Sequence, residues 1–140
     1  MASKLNPYLS FKDNARQAMG FYHTVFGGKL QMQTFGEAHA SDEPAEVNKI
    51  MHAELAADNG ILFFGSDTLT RMGEYQAGPN NISLSLTGED EAELRGYFEK
   101  LSAGGAITMP LAKAPWGDTF GMFTDKFGVA WLVNITATRS

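Results

Sequence analysis

The chain has 140 residues, of which 44% are apolar and 19% charged, and its formal net charge is −5 at pH 7. This composition is typical of a single globular domain, and the acidic balance argues against nucleic acid as a partner, since nucleic-acid binding needs a basic surface. No run of about 18 apolar residues occurs, so we expect no membrane span. The lack of cysteine excludes disulfides and thiolate chemistry. The N-terminus has no signal-peptide core, which favours a cytoplasmic protein.

Five elements are predicted in the first half of the chain. Apolar residues recur at helical spacing from Ala18 to Phe26, and Gly27-Gly28 ends that helix. Asp58-Asn59-Gly60 separates two alternating runs, which indicates a β-hairpin. Residues 36–48 are polar, acidic and interrupted by proline, which predicts a mobile loop. In chain order the elements are a strand at Leu5–Phe11, a helix at Ala15–Phe26, and strands at Lys29–Phe35, Lys49–Ala56 and Ile61–Ser66.

The same order recurs after a connection at about residues 67–80. Leu94, Tyr97, Phe98 and Leu101 form a helical apolar stripe. Thr87 and Asp90 resemble a capping box before it, and a second Gly-Gly pair follows it. Strands are predicted at Asn81–Leu86, Ala106–Leu111, Thr119–Thr124 and Val129–Ile135. The sequence therefore predicts one α+β domain over residues 1–140, built from two βαβββ modules at about residues 5–66 and 81–136 that curve around a shared cavity.

Three stretches resemble one known family. They are NPYLSF at Asn6–Phe11, FYHTVFGG at Phe21–Gly28 and FGMFTDKFGVAWLVN at Phe120–Asn134. Together they are similar to the PhnB-like branch of the vicinal oxygen chelate superfamily, which holds glyoxalase I, bleomycin-resistance proteins and extradiol dioxygenases. The resemblance implies paired βαβββ modules that form one cupped site, and a homodimer.

Metal-dependent members of that superfamily place one His or Glu on each of four strands that face the cup. Carried over by register, these positions fall on Pro7, Phe63, Asn81 and Leu132, and a one-residue slip gives Tyr8, Phe64, Asn80 and Trp131. None of these residues is His, Glu or Asp, and a lone Asn is a poor ligand for a divalent cation. We therefore expect no metal cofactor in this chain.

His52 and Glu54 are the candidate catalytic pair. If Asn59-Gly60 is the two-residue turn of the hairpin, Ala56 pairs with Phe63, and His52, Glu54 and Phe63 share the concave face. A histidine beside a carboxylate has the chemistry of a general base with an orienting acid, or of a metal ligand in an unusual place. The alternative is a polar pair at the cavity rim or at a subunit interface, because His–Glu proximity alone is not specific.

The second half carries most of the predicted ligand contacts. Small polar residues alternate along its first strand, which indicates a face that meets water or a polar small molecule. Aromatic residues of the last hairpin and the loop before it supply an apolar lining. Trp131 alternates with Leu132 and is predicted to lie in the core. The predicted ligand pocket comprises Phe63, Asn81, Ser83, Ser85, Trp116, Phe120 and Leu132.

Three function classes follow from these patterns. The first is a metal-free protein that binds a small molecule, and the second is a lyase, isomerase or dioxygenase-type enzyme that uses His52 and Glu54. The third is a partner-binding module that uses the acidic loop at residues 36–48. No dinucleotide or P-loop motif follows a strand, and nothing resembles the doubly wound βα unit of a methyl-donor site.

Overall fold

The computed structural model describes residues 5–69 and 82–137. The chain divides into two compact units, Met1–Gln76 and Ala77–Ser140. Neither helix in the described ranges is long and apolar enough to cross a membrane. The predicted cavity shared by the two halves stays a prediction.

Unit one is a four-stranded sheet with one helix packed on it. The sheet order is β1-β4-β3-β2, with β1 parallel to β4 and the other pairs antiparallel. On the helix-facing side, Phe63 contacts Tyr22 and Phe26 at ring-centroid distances of 5.6 Å and 6.0 Å. These side chains are the centre of the core of this unit. The elements are β1 at Tyr8–Phe11, α1 at Ala15–Phe26, β2 at Lys29–Thr34, β3 at Ile50–Ala56 and β4 at Leu62–Asp67.

Unit two repeats this topology strand for strand. Its sheet order is β5-β8-β7-β6, with β5 parallel to β8 and the other pairs antiparallel. Its core contains Phe98 of the helix, which meets Phe123 edge-to-face at 5.0 Å. The predicted repetition of strand, helix and three strands is confirmed. The elements are β5 at Leu84–Gly88, α2 at Glu91–Ser102, β6 at Ala106–Lys113, β7 at Thr119–Thr124 and β8 at Ala130–Ile135.

The N-termini of the two helices are capped in different ways. Asp90 is the N-cap of α2, and its side chain accepts a hydrogen bond from the Glu93 N–H at 3.0 Å. The N-cap therefore lies three residues after Thr87, the residue at which the predicted capping box begins. Asn14, the N-cap of α1, makes no side-chain capping bond. A carboxylate distant in sequence, that of Asp67, caps α1 instead.

The register of the β3–β4 hairpin corrects one prediction. Ala56 pairs with Leu62, not with Phe63, and Leu55 is the partner of Phe63. The reason is a three-residue loop in which the Ala57 N–H donates to the Ile61 carbonyl and Gly60 adopts a φ of 92°. A one-residue change of register moves each side chain of a strand to the other face. Phe63 therefore lies against α1 and is 3% exposed.

Residues 36–48, predicted as a mobile loop, form a hydrogen-bonded set of turns. The Gly36 N–H donates to the Val47 carbonyl, and the Ala40 N–H donates to the Phe35 carbonyl. Phe35, at the start of the segment, is only 4% exposed. The segment is thus a loop packed by its own bonds and anchored by an apolar side chain.

Candidate functional site

Each sheet has one face that packs on its helix and one face that does not, which we term the free face. In unit one, the registers place alternate residues of all four strands on the free face. Aromatic and polar side chains dominate this face. Its members are Tyr8 and Ser10 on β1, Leu62, Phe64 and Ser66 on β4, His52, Glu54 and Ala56 on β3, and Lys29, Gln31 and Gln33 on β2.

Three rings form a cluster on the free face of unit one. The His52 and Phe64 centroids are 5.4 Å apart, and Tyr8 lies 6.0 Å from Phe64 and 6.1 Å from His52. The planes are tilted by 32° to 46°, so the rings lean on one another without stacking. Tyr8 is 52% exposed. The cluster is an accessible aromatic surface and does not belong to the core.

His52 and Glu54 lie two residues apart on β3 and on the same face, as the sequence predicts. No hydrogen bond or ion pair joins them in the described part of the chain, and Glu54 has no other such partner there. Glu54 is the cross-strand neighbour of Phe64 and Gln31. The orienting contact between the two candidate catalytic groups is therefore not formed in this geometry.

The corrected hairpin register also changes the positions carried over from the metal-dependent relatives. Phe63 points to the helix, and Pro7 precedes β1. The residues that face outward in unit one are those of the one-residue slip, Tyr8 and Phe64, which are Cα partners. Asn81 lies outside the described residues. In the described ranges, no group of three or more His, Asp or Glu side chains has a geometry able to hold a metal.

The free face of unit two is more apolar. One row across the sheet contains Ser85, Leu132, Met122 and Met109. The next row contains Thr87, Asn134 and Phe120. The predicted pocket residues Ser85, Leu132 and Phe120 thus share one face. Polar side chains lie at the β5 edge, and thioether, aliphatic and aromatic side chains cover the other strands.

Trp116 lies at the end of this apolar surface. It is 62% exposed, and its ring meets Phe120 at 5.7 Å with an interplanar angle of 68°. The turn that carries it is fixed by two backbone bonds, Ala114 N–H to the Asp118 carbonyl at 2.7 Å and Gly117 N–H to the Ala114 carbonyl at 2.9 Å. A large aromatic side chain is therefore held in water by an ordered turn.

Trp131 lies in the core, as predicted. It is 3% exposed and stacks on Phe123. Its indole N–H donates to Asp125, whose other carboxylate oxygen accepts from the Phe127 and Val129 N–H groups. Ser83, also predicted as a ligand contact, is exposed just before β5.

Sequence analysis missed several residues of these faces. The sequence predicts Tyr8 and Phe64 only as one-residue alternatives for the metal-ligand positions, and it predicts no role for Met122. A three-residue hairpin loop, which the glycine at position 60 permits, predicts the outward position of Phe64. Asn134 was also missed. Its side-chain amide donates to Asp118 at 3.0 Å, so this carboxylate fixes an amide on the free face of unit two.

The two sheets have the architecture of the glyoxalase/bleomycin resistance/dioxygenase class. A domain of that description from Frankia sp. has the same fold, with a TM-score of 0.68 at 16% identity over 100% of this chain and 96% of the other. The family model described as 3-demethylubiquinone-9 3-methyltransferase matches residues 3–134. The chain belongs to this family.

Individual relatives cover nearly the whole chain. Protein YjdN of Escherichia coli is 31% identical over 94% of both chains. The crystal structure of protein PA1353 from Pseudomonas aeruginosa is 40% identical, with a TM-score of 0.82 over 96% of this chain and 98% of the other. A Bacillus cereus protein described as a putative 3-demethylubiquinone-9 3-methyltransferase, PhnB protein, is 29% identical, with a TM-score of 0.76 over 96% and 100%. The predicted PhnB-like membership is confirmed.

Proposed function

We propose that this protein binds a planar, mainly apolar small molecule on the free face of unit two, without a metal cofactor. The observation that carries the proposal is Trp116, which is 62% exposed and yet held by an ordered turn against Phe120. Exposure of an indole ring to water is unfavourable, so an ordered exposed tryptophan beside an apolar surface is typical of a ligand contact.

The surface around Trp116 suits such a ligand. Met109 and Met122 are cross-strand partners, and flexible thioethers adapt to the outline of a flat ring. Ser85 and Thr87 lie at the other end of the same rows and offer hydroxyl groups for hydrogen bonds. A mainly apolar face with a few polar groups at one edge is the usual composition of a small-molecule site.

Two features support a metal-free, non-methyltransferase role. The described residues at the carried-over metal positions of the superfamily are Pro7, Phe63 and Leu132, whose side chains have no donor atom for a divalent cation. The described part of each unit consists of one four-stranded sheet and one helix. That arrangement differs from the doubly wound parallel sheet usual for a methyl-donor site, so the proposal departs from the activity in the family's description.

The proposal also places the protein in the cytoplasm as a homodimer. Support for a dimer comes from the resemblance to the superfamily and from β6, an edge strand on which Ile107 and Met109 are 52% and 47% exposed. Light scattering on the purified chain tests the dimer, and a monomeric mass would contradict it. Cell fractionation tests the compartment.

The binding site is tested with the dye anilinonaphthalene sulfonate, whose naphthalene ring is flat and whose fluorescence rises in an apolar site. We expect saturable binding to the wild-type protein that a metal chelator does not change. Trp116→Ala should weaken that binding about tenfold, since the stacking of a flat ring on an aromatic side chain contributes about 1–3 kcal/mol. Ile107→Ala is the matched control because Ile107 is exposed but pairs with the helix-facing Phe123. Equal loss in both variants, or loss with chelator, would contradict the proposal.

A second candidate is an acid–base enzyme that uses His52. The specific observation in its favour is the position of the imidazole beside Tyr8 and Phe64 on an accessible face, where it can reach a bound molecule. Glu54 lies on the same strand and face and would orient the ring after a small side-chain movement. The test is turnover of a panel of small carbonyl compounds by the wild type and by His52→Ala. An unchanged rate in the variant removes this candidate.

A further inference from the structure

We propose that the free face of unit one binds a small organic cation, held between the ring faces of Tyr8 and Phe64 and the carboxylate of Glu54. This site lies in a different unit from the small-molecule site proposed around Trp116 and takes a ligand of different chemistry. It shares Tyr8, Phe64 and Glu54 with the His52 candidate but requires no catalysis. The proposal therefore goes beyond the proposed function and does not depend on it.

The first part of the argument is the aromatic surface. Tyr8 and Phe64 are Cα partners on adjacent parallel strands, with ring centroids 6.0 Å apart and planes tilted by 37°. Their π-faces carry negative electrostatic potential, which attracts a cation within about 6 Å of the centroid. His52 lies 5.4 Å from Phe64 and adds a third ring to the same surface. A compact cation over this cluster contacts more than one ring at once.

The second part is the charge beside the rings. Glu54 is the direct cross-strand neighbour of Phe64, and such side chains lie about 5 Å apart at their Cβ atoms. It is half-buried, and within the described residues it has neither a hydrogen bond nor an ion pair. Charged side chains in partly buried positions usually have a partner. A carboxylate without one, next to two aromatic faces, is complementary to a positive ligand.

The third part is the remainder of the row. Gln31 is the cross-strand partner of Glu54 on its other side, so its amide oxygen can accept a hydrogen bond from an ammonium or hydroxyl group. Lys29, the cationic side chain of this face in the described ranges, pairs with Ala56 and so lies in another row. In the row that contains Glu54, Gln31 and Phe64, the charged side chain is that of Glu54.

These features select the chemical class of the ligand. Aromatic faces favour a large, weakly hydrated cation such as an alkylated ammonium, which loses little hydration on binding. A divalent metal ion is not the ligand, because the described residues offer no group of three or more carboxylate or imidazole donors. An anion would be repelled by the carboxylate. The inferred ligand is therefore an organic cation with an apolar surface.

The probes are choline and dimethylbutanol, which has the same shape as choline but carries a neutral carbon atom in place of the charged nitrogen. Amide NMR titration of the full chain should give shifts at Phe64 and Glu54 with choline, and weaker or no shifts with the isostere. Glu54→Gln and Phe64→Leu should each raise the choline dissociation constant about threefold to tenfold. Glu99→Gln on α2 removes the same charge from an exposed position and should leave the constant within about twofold.

Folding of each variant is checked by the dispersion of its amide spectrum. If Phe64→Leu loses that dispersion, Tyr8→Leu replaces it, because Tyr8 is half exposed at the sheet edge and its removal leaves the core intact. Equal binding of choline and dimethylbutanol would overturn the proposal. So would an absence of choline shifts, or a Glu54→Gln variant that binds choline like the wild type.

Discussion

The carboxylate of Asp67, at the end of β4, accepts a hydrogen bond from the backbone N–H of Ala15, the first residue of α1, at 2.9 Å. Its second oxygen accepts from the N–H of Ile50 at the start of β3, also at 2.9 Å. Asp67 is 3% exposed. One buried side chain thus satisfies an N–H group at the start of a helix and another at the start of a strand.

Replacement of Asp67 by Asn should therefore destabilise the protein. Asn has one oxygen and one NH₂ group, so it can accept from Ala15 or from Ile50 but places a donor against the other N–H. A buried N–H without an acceptor costs about 1–3 kcal/mol, and we expect the free energy of unfolding to fall by about that amount. Urea denaturation measures it. Asp58→Asn, in the exposed hairpin loop, is the control and should change stability by less than about 0.5 kcal/mol.

Asp125 and Trp131 should be energetically coupled. The Trp131 indole N–H donates to Oδ2 of Asp125 at 2.9 Å in a buried environment. We expect Asp125→Ala and Trp131→Phe each to lower the free energy of unfolding by at least about 1 kcal/mol. The double variant should lose about 0.5–3 kcal/mol less than the sum. Strict additivity in chemical denaturation would show that the bond contributes nothing. Trp116→Phe, at an exposed site, is the matched tryptophan control.

Two strand glycines should respond differently to the same substitution. A Cβ at Gly121 would lie 3.0 Å from the Leu111 backbone nitrogen, 3.0 Å from the Met109 carbonyl oxygen and 2.8 Å from the Phe98 ring. A Cβ at Gly65 would meet side chains only, the sulfur of the flexible Met19 at 2.9 Å and the ring of Phe11 at 3.2 Å. Gly121→Ala should cost about 1–3 kcal/mol because the backbone of β6 must shift. Gly65→Ala should cost less, and the reverse order in thermal denaturation would contradict this reasoning.

Glu37 should stabilise the protein at neutral pH and lose this effect in acid. The Thr34 backbone N–H donates to its carboxylate at 3.0 Å, and this bond, followed by the Thr34 side chain, holds the pKa of Glu37 below its ordinary value of 4.5. A carboxyl group with a lowered folded-state pKa stabilises the protein above its unfolded pKa and loses that effect as pH falls through the folded value. The stability difference between wild type and Glu37→Gln should therefore be present at neutral pH and vanish in acid. A difference that is constant with pH would contradict the prediction.

Sequence patterns predicted the fold well because its signals are local. Helical spacing, Gly-Gly endings and alternation each occur within about a dozen residues, and the bounds of α1 follow from them. The hairpin register failed on a single residue, because Asn-Gly indicates a two-residue turn while the chain uses Asp58, Asn59 and Gly60 as a longer loop. That error exchanged Phe63 for Phe64 on the free face.

Other features were beyond such reasoning because they join distant parts of the sequence. Asp67 caps a helix that begins 52 residues earlier, and no local pattern indicates it. The reciprocal bonds between Thr34 and Glu37 do have a capping-box spacing, but they join the end of a predicted strand to a segment whose composition predicts a mobile loop. The predicted ligand pocket grouped Ser85, Leu132 and Phe120, and the strand registers place these three residues on one face.

The repeated βαβββ topology bears on how this family can diversify. Each helix packs on the sheet of its own unit, so the residues that decide whether a unit folds are different from those on its outward surface. Substitutions that change what one outward surface recognises leave the hydrophobic interior of either copy unaltered. A tandem repeat of this kind gives natural selection two surfaces to specialise, one with aromatic and amide groups and one with thioethers and an indole ring, at little risk to the scaffold.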